Sequence, residues 1–346
     1  MKQLTVMVTG AGAVLGQGVL RCLRMAQRPI RVITADPDYR AAGHWLGDLA
    51  VTIPMADDQE YLSTVEMILA REKVGILLIG TDVELPIFSK GKTRLEAKYG
   101  TRVVVSSPRV VEIANDKLVT AHFLEGAGFP FALSSSADDR TAVAELVSTI
   151  GFPLIAKPKQ GARSVGVVVI NSPAELSHVM GRSDLIVQEL LPDNEGEYTA
   201  GCIVVKQTCV ASVVLRRDLR DGNTYRAYAD TSRRFDGEIS AIAERLDCDG
   251  PCNFQFRIKN GRPIVFEINA RFSGTTPIRA MFGFNEVLAV VDYLNTGTPI
   301  PEVTIKEGAV FRAWSDIYVD ALQLENFKIT GSLSAPDCTE YPFRSL

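Results

Sequence analysis

Short apolar runs alternate with amphipathic stretches through the first third of the chain. Residues 4–8, 31–35, 75–79 and 102–105 are apolar enough to be strands buried on both faces. Between them, apolar positions recur at helical spacing over 15–25, 61–71 and 85–99. Strand–helix alternation predicts a doubly wound, Rossmann-like α/β domain with a parallel sheet. The pattern changes near Ser106. Helix is predicted over 108–126 and 141–150, then strands at 154–157, 165–170, 185–189, 198–205 and 209–215. A helix at 236–246 precedes two strands, 252–258 and 263–268, that flank Asn260-Gly261, a hairpin signal. Helices at 276–282 and 285–295 and a strand at 309–314 complete the reading.

At 346 residues the chain predicts two or three domains. The boundaries expected are 1–114 for the parallel-sheet domain, 115–300 for a strand-rich second domain with a subdomain at about 130–190, and a tail, 301–346, packed on the second domain. A hydrophobic fraction of 46% supplies a core, and a net charge of −4 with interspersed signs argues against a nucleic-acid partner. No apolar stretch approaches the roughly 18 residues of a membrane span, and no leader pattern follows Met1, so a cytoplasmic protein is expected. Six scattered cysteines without a C-x-x-C pair read as free thiols.

The first strand runs into Gly10-Ala11-Gly12-Ala13-Val14-Leu15-Gly16, which opens a helix, and Asp36 ends the second strand. Three readings are open: a dinucleotide loop, glycines required for strand–helix packing, or a loop that receives an acidic substrate group. The spacing is wider than the dinucleotide fingerprint, and no dehydrogenase set follows it.

More telling is Asn253-Phe254-Gln255-Phe256, followed by Phe266-Glu267-Ile268-Asn269-Ala270-Arg271. Alternation puts Glu267, Asn269 and Arg271 on one face of an extended chain, with Phe266 and Ile268 turned to the core. Gln255, Glu267 and Asn269 offer the hard oxygens that Mg²⁺ or Mn²⁺ takes, and Arg271 offers a bidentate clamp for a phosphoryl group. The plain alternative is a polar sheet face. Gln255 and Glu267 can meet only if the loop at Asn260-Gly261 has odd length or a bulge intervenes, with Gly261 left-handed.

Lys117 opens a helix, Lys157 ends an apolar strand, and Gln160–Val167 forms a small-residue loop containing Arg163 and Ser164. Two lysines and such a loop can neutralise and cover phosphates. Glu189-Leu190-Leu191 leads into Glu197, a passage suited to adenine and ribose. Arg216, Arg217, Arg220 and Arg226 could face an anionic substrate or form an exposed basic loop.

In this order these residues resemble the ATP-grasp superfamily, in particular one synthetase half of the carbamoyl-phosphate synthetase large chain and the pyrrolysine-biosynthesis ligase. The resemblance covers roughly residues 1–300. It implies an N-terminal Rossmann-like domain without NAD, then an ATP-grasp fold. It assigns Lys117, Lys157 and Ser164 to ATP phosphates, Glu189 and the Leu191 backbone to adenine, and Glu197 to ribose. Gln255, Glu267 and Asn269 would hold Mg²⁺, with Lys157 and Arg271 acting on the transferred phosphoryl. The loop Gly-Ala-Arg-Ser-Val-Gly has fewer glycines than the richest versions. One ATP-grasp unit is expected here, so carbamoyl phosphate is not the expected product. The activity implied is ATP-dependent, ADP-forming ligation of a small carboxylate to an amine through an acyl phosphate. A phosphotransferase or a non-catalytic nucleotide-binding protein are its rivals. A homodimer is one assembly open to such a chain.

Overall fold

The computed structural model describes residues 3–161, 165–313 and 315–341. Five parallel strands form the N-terminal sheet in the order Leu49–Thr52, Ile30–Asp36, Leu4–Val8, Ile76–Leu78, Arg102–Val104. Val6, Met7 and Val8 are completely buried, as expected of a central strand covered on both faces. The helix Val14–Arg24 covers one face, while Tyr61–Glu72 and Leu85–Tyr99 cover the other. Leu49–Thr52 escaped the sequence reading because its four residues are too few to show a period.

Strand order reverses between Leu4–Val8 and Ile76–Leu78, the switch point of the sheet. Glycine there serves packing. A Cβ on Gly16 would stand 2.0 Å from the Gly10 carbonyl oxygen, and one on Gly10, itself at φ 58°, 2.4 Å from Thr81. The Asp36 carboxylate is spent on the loops, accepting the N–H groups of Gly12 at 2.7 Å and Asp38 at 3.0 Å. Buried Glu84 accepts hydroxyls from Thr9, Tyr61 and Thr81, and burial raises its carboxyl above the ordinary value.

The predicted helix 108–126 is two, Pro108–Asn115 and Lys117–Gly126. Asp116 separates them: its backbone is extended and its side chain caps the second helix, accepting from Leu118 and Val119 N–H. Beyond lies a small antiparallel sheet in the order Ser134–Ser136, Leu185–Glu189, Leu154–Pro158, Val168–Ile170. A larger sheet follows, in the order Arg262–Asn269, Gly250–Lys259, Glu197–Val205, Thr208–Arg220, Asn223–Ala229, Ala309–Phe311. The strand expected over 209–215 continues to Arg220 and returns through Asp221-Gly222 as Asn223–Ala229, which the sequence reading missed.

The helix Asp236–Leu246 buries Ile239, Ile242 and Leu246 against one face of the large sheet. On the opposite face, Val213, Leu215 and Ala227 share a core with Val6, Val8 and Leu20 of the N-terminal unit and with Val287 and Val291. The tail, expected on the second domain, divides. Ala309–Phe311 edges the large sheet, whereas Ser332–Ser334 adds an antiparallel strand beside Leu49–Thr52, with Phe327 buried against Ala50 and Leu333. Among the described residues no helix is long and apolar enough to cross a membrane.

Candidate active site

The hairpin of Gly250–Lys259 and Arg262–Asn269 supplies the polar ladder. It turns on two residues, Asn260 and Gly261, both left-handed with φ of 54° and 74°. Such a turn alone would set Gln255 against Phe266. Instead the register shifts after Gln255, which pairs with Glu267, while Phe256 pairs with Val265 and Phe266 is the extra residue of a bulge. Asn253 accordingly pairs with Asn269. The bulge also corrects the placing of Phe266, expected in the core. Its ring lines the cavity beside Glu267 and faces Lys157 Nζ at 5.3 Å, leaving Phe254, Phe256 and Ile268 to the core.

A cavity of about 440 Å³ opens between this hairpin and the small sheet, within the range of about 300–1,000 Å³ common to small-ligand sites. Of the residues singled out in the sequence, Lys117, Lys157, Glu189, Leu191, Glu197, Gln255 and Glu267 line it. Asn269 and Arg271 extend it as a ladder. Asn269 Nδ2 donates to Glu267 Oε1 at 3.1 Å, and Arg271 Nη2 donates to Asn269 Oδ1 at 2.9 Å. Ser164 and Arg163 lie outside the described residues.

Lys157 is 6% exposed, and burial pushes its ammonium down to about 8, with Glu267 opposing the shift and Lys117 adding to it. Lys117 Nζ donates to the Gly161 carbonyl at 2.9 Å, at the entry to the candidate phosphate loop. Both oxygens of Glu197 are held by guanidinium groups: Arg217 Nη2 reaches Oε1 at 2.6 Å, and Arg257 reaches Oε2 at 3.1 and 3.2 Å. Arg257 Nη1 also donates to the Leu191 carbonyl at 3.1 Å, and Lys259 pairs with Glu189.

Sequence reasoning passed over Arg257 and Lys259, although their alternation with Gln255 was a readable signal. Arg217 stood undistinguished among four arginines. The structure separates it: Arg217 is buried, whereas Arg216 lies over Tyr228 at 4.3 Å and Arg220 and Arg226 flank the Tyr225 ring at 5.3 and 5.4 Å. Asp82, in the loop after Ile76–Leu78, was missed as well. It takes Arg271 bidentately, Nε to Oδ1 at 2.5 Å and Nη2 to Oδ2 at 2.6 Å.

Two family models match the chain, a RimK-like ATP-grasp domain over residues 114–245 and an ATP-grasp of a biosynthetic pathway with the Ter operon over 181–316. The chain carries an ATP-grasp domain. It is 26% identical over 306 residues to the carbamoyl phosphate synthase large chain of Campylobacter jejuni, which covers 80% of this chain and 27% of that one. With the arginine-specific large chain of Bacillus subtilis it shares 23% over 209 residues, 54% of this chain and 20% of the other. The chain thus spans a fifth to about a quarter of the length of these relatives. Among solved structures, N5-carboxyaminoimidazole synthetase of Staphylococcus aureus, complexed with ADP, superposes with a TM-score of 0.71 at 16% identity, covering 95% of this chain and 87% of that one. The biotin carboxylase domain of Hydrogenobacter thermophilus 2-oxoglutarate carboxylase, with MgADP, ADP and bicarbonate, gives 0.64 at 14%, covering 85% and 70%. These likenesses establish a shared fold.

In the ATP-grasp domain the large and small sheets form the two walls of the cavity. Its residues suit a cation that arrives with phosphate. Glu267 is one carboxylate flanked by two amides, and among the described residues no three His, Cys, Asp or Glu side chains converge as a metal cage. Such a set leaves coordination positions to phosphate oxygens and water, as Mg²⁺ requires. Glu267 Oε1 accepts from Gln255 Nε2 at 2.7 Å as well as from Asn269. Gln255 therefore shows Glu267 its NH₂, and its carbonyl faces Arg217.

Proposed function

We propose that this protein is an ATP-dependent, ADP-forming ligase that joins a small-molecule carboxylate to an amine through an acyl phosphate. The observation that carries the reading is one cavity uniting Lys117, Lys157, Glu197 and Glu267, with Arg271 joined to Glu267 through Asn269. The nucleotides present in similar structures support ATP there.

A carboxylate resists amines because its charge repels them and its leaving group would be oxide. Attack of a carboxylate oxygen on the γ-phosphorus breaks the bond to the β–γ bridging oxygen and releases ADP. The amine nitrogen then attacks the acyl carbon, and phosphate departs with the C–O electron pair. Charge accumulates on the transferred phosphoryl, so positioned cations lower the barrier. Lys117 and Lys157 would neutralise phosphate oxygens, and Arg271 the phosphoryl in flight. Glu267, with Asn269 and Gln255, would hold Mg²⁺, which when bound offsets the charge of the β- and γ-phosphates. Glu197 would accept the ribose hydroxyls, while Glu189 and the Leu191 backbone meet adenine.

Hydroxylamine trapping tests the reading. With ATP, Mg²⁺ and a panel of carboxylates, the correct acid should yield hydroxamate with ADP and phosphate, without its natural amine. Arg271→Ala should cut hydroxamate formation by about 10²–10³ with little loss of ATP affinity, the usual cost of removing a charge-stabilising donor. A stable phosphate ester, or AMP in place of ADP, would refute the ligase.

A further inference from the structure

Arg217 bridges two residues that line the cavity, Glu197 and Gln255. Its side chain is 7% exposed, and a single nitrogen, Nη2, donates both to Glu197 Oε1 at 2.6 Å and to Gln255 Oε1 at 2.5 Å. Nη1 donates to Thr224 Oγ1 at 3.3 Å. Nε is buried and has no hydrogen-bond partner among the described residues. Buried guanidinium donors are ordinarily satisfied, so this one has a donor to spare beside the cavity it lines.

A guanidinium carries only donors. The Gln255 amide is consequently fixed in one sense, carbonyl toward Arg217 and NH₂ toward Glu267 Oε1. That sense is opposite to metal ligation, which needs the Gln255 oxygen beside Glu267. Turning the amide over would point its NH₂ at Arg217, donor against donor, unless Arg217 gives its N–H to another acceptor. The oxygens of a nucleotide seated between Glu197 and Glu267 are such acceptors.

Resting on the metal and nucleotide reading above, we propose that Arg217 is a positioning residue that keeps Gln255 turned away from the metal until nucleotide takes over its N–H. The protein alone then binds the cation weakly, and the nucleotide completes the site. This guards against a cation seated without ATP and couples the ribose contact, Glu197, to the metal contact, Gln255, through one side chain.

Two binding measurements need no turnover: Mn²⁺ alone, from the electron paramagnetic resonance of free ion, and ADP alone without metal, by calorimetry. Arg217→Lys keeps the charge but cannot hold Glu197 and Gln255 as a planar fork does. It should tighten Mn²⁺ by about fivefold or more, a typical coupling between sites, while weakening ADP. In a Gln255→Ala background the same change should leave Mn²⁺ binding as it was, because the restraint acts through Gln255. Weakening of both ligands, no change in Mn²⁺, or an equal gain without Gln255 would overturn the proposal. If Arg217→Lys does not fold, Arg217→Met run through the same cycle serves. Glu267→Ala is the separate control: if it binds Mn²⁺ as the wild type does, the metal reading fails irrespective of Arg217.

Discussion

Lys157 holds a charge where charge is expensive. It sits on Leu154–Pro158 against the Phe266 ring, and desolvation brings it down to about 8 from an ordinary 10.5. The sign follows directly. Between those values the unfolded chain keeps a proton that the folded one has released, so stability without ligand should rise with pH from about 8 toward 10.5. Nucleotide binding should move the other way, because phosphate needs the charged form. ADP affinity by calorimetry should fall above pH 8, by up to about tenfold per pH unit, and Lys157→Met should flatten both profiles. A wild-type affinity constant from pH 7 to 9 would show that Lys157 does not face phosphate. The residue was legible in the sequence as a lysine closing an apolar strand. Its lowered ionisation was not, since burial depends on neighbours such as the Phe266 ring, more than a hundred positions away.

At the scale of elements, the hairpin is kept in place by a polar knot beneath the sheet. Arg279 on Thr276–Met281 and Glu286 on Glu286–Thr296 form an ion pair whose side chains are 1% and 2% exposed. Arg279 also donates to Thr275 Oγ1 at 2.7 Å and Ser273 Oγ at 3.0 Å, and Asn253 of the hairpin meets the same group. The guanidinium lies on Gly201, in the strand Glu197–Val205, where a Cβ would come within 2.4 Å of its Cζ. Gly201→Ala must therefore displace the Arg279 guanidinium and is expected to disrupt its pairing with Glu286. Breaking a buried pair commonly costs about 3–5 kcal/mol, and urea unfolding should show a loss of that order. Gly237→Ala, in the helix Asp236–Leu246 with nothing within 4 Å of the new methyl, should be neutral or stabilising. Equal stabilities for the two variants would deny Arg279 its place. Nothing in the sequence around Gly201 announces this requirement, because the arginine it accommodates comes from a helix far along the chain. The bulge at Phe266 was half legible: the ladder's chemistry demanded a parity correction, and the two-residue turn left the strand to supply it.

Across the whole molecule, the N-terminal unit reaches the candidate chemistry through Asp82, which pairs with Arg271. Arg271 is nearly buried at 11% and Asp82 half exposed at 45%, so solvent weakens the pair. If Arg271 serves the transferred phosphoryl, Asp82 occupies its fork until an acceptor carboxylate displaces it. Asp82→Asn should then raise ADP release in the absence of carboxylate by about two- to fivefold, the rate equivalent of roughly 0.5–1 kcal/mol for a half-exposed pair. An unchanged idle rate would make Asp82 an anchor between the units and no more.

The alternation of most strands and helices, the parallel N-terminal sheet and the candidate lysines, acids and amides were decided by the sequence alone. Each rests on neighbours a few positions apart: the two- and 3.6-residue periods, the capping Asp116 and the alternation from Glu267 to Arg271. The tertiary structure decided what joins distant segments. The Gln255–Arg217 restraint, the Asp82–Arg271 contact across 189 positions and the tail strand beside Leu49–Thr52 all depend on which sheets pack together. Charge makes the difference concrete. An exposed arginine and a buried one read alike in sequence, and only packing removes the water that would otherwise satisfy their donors.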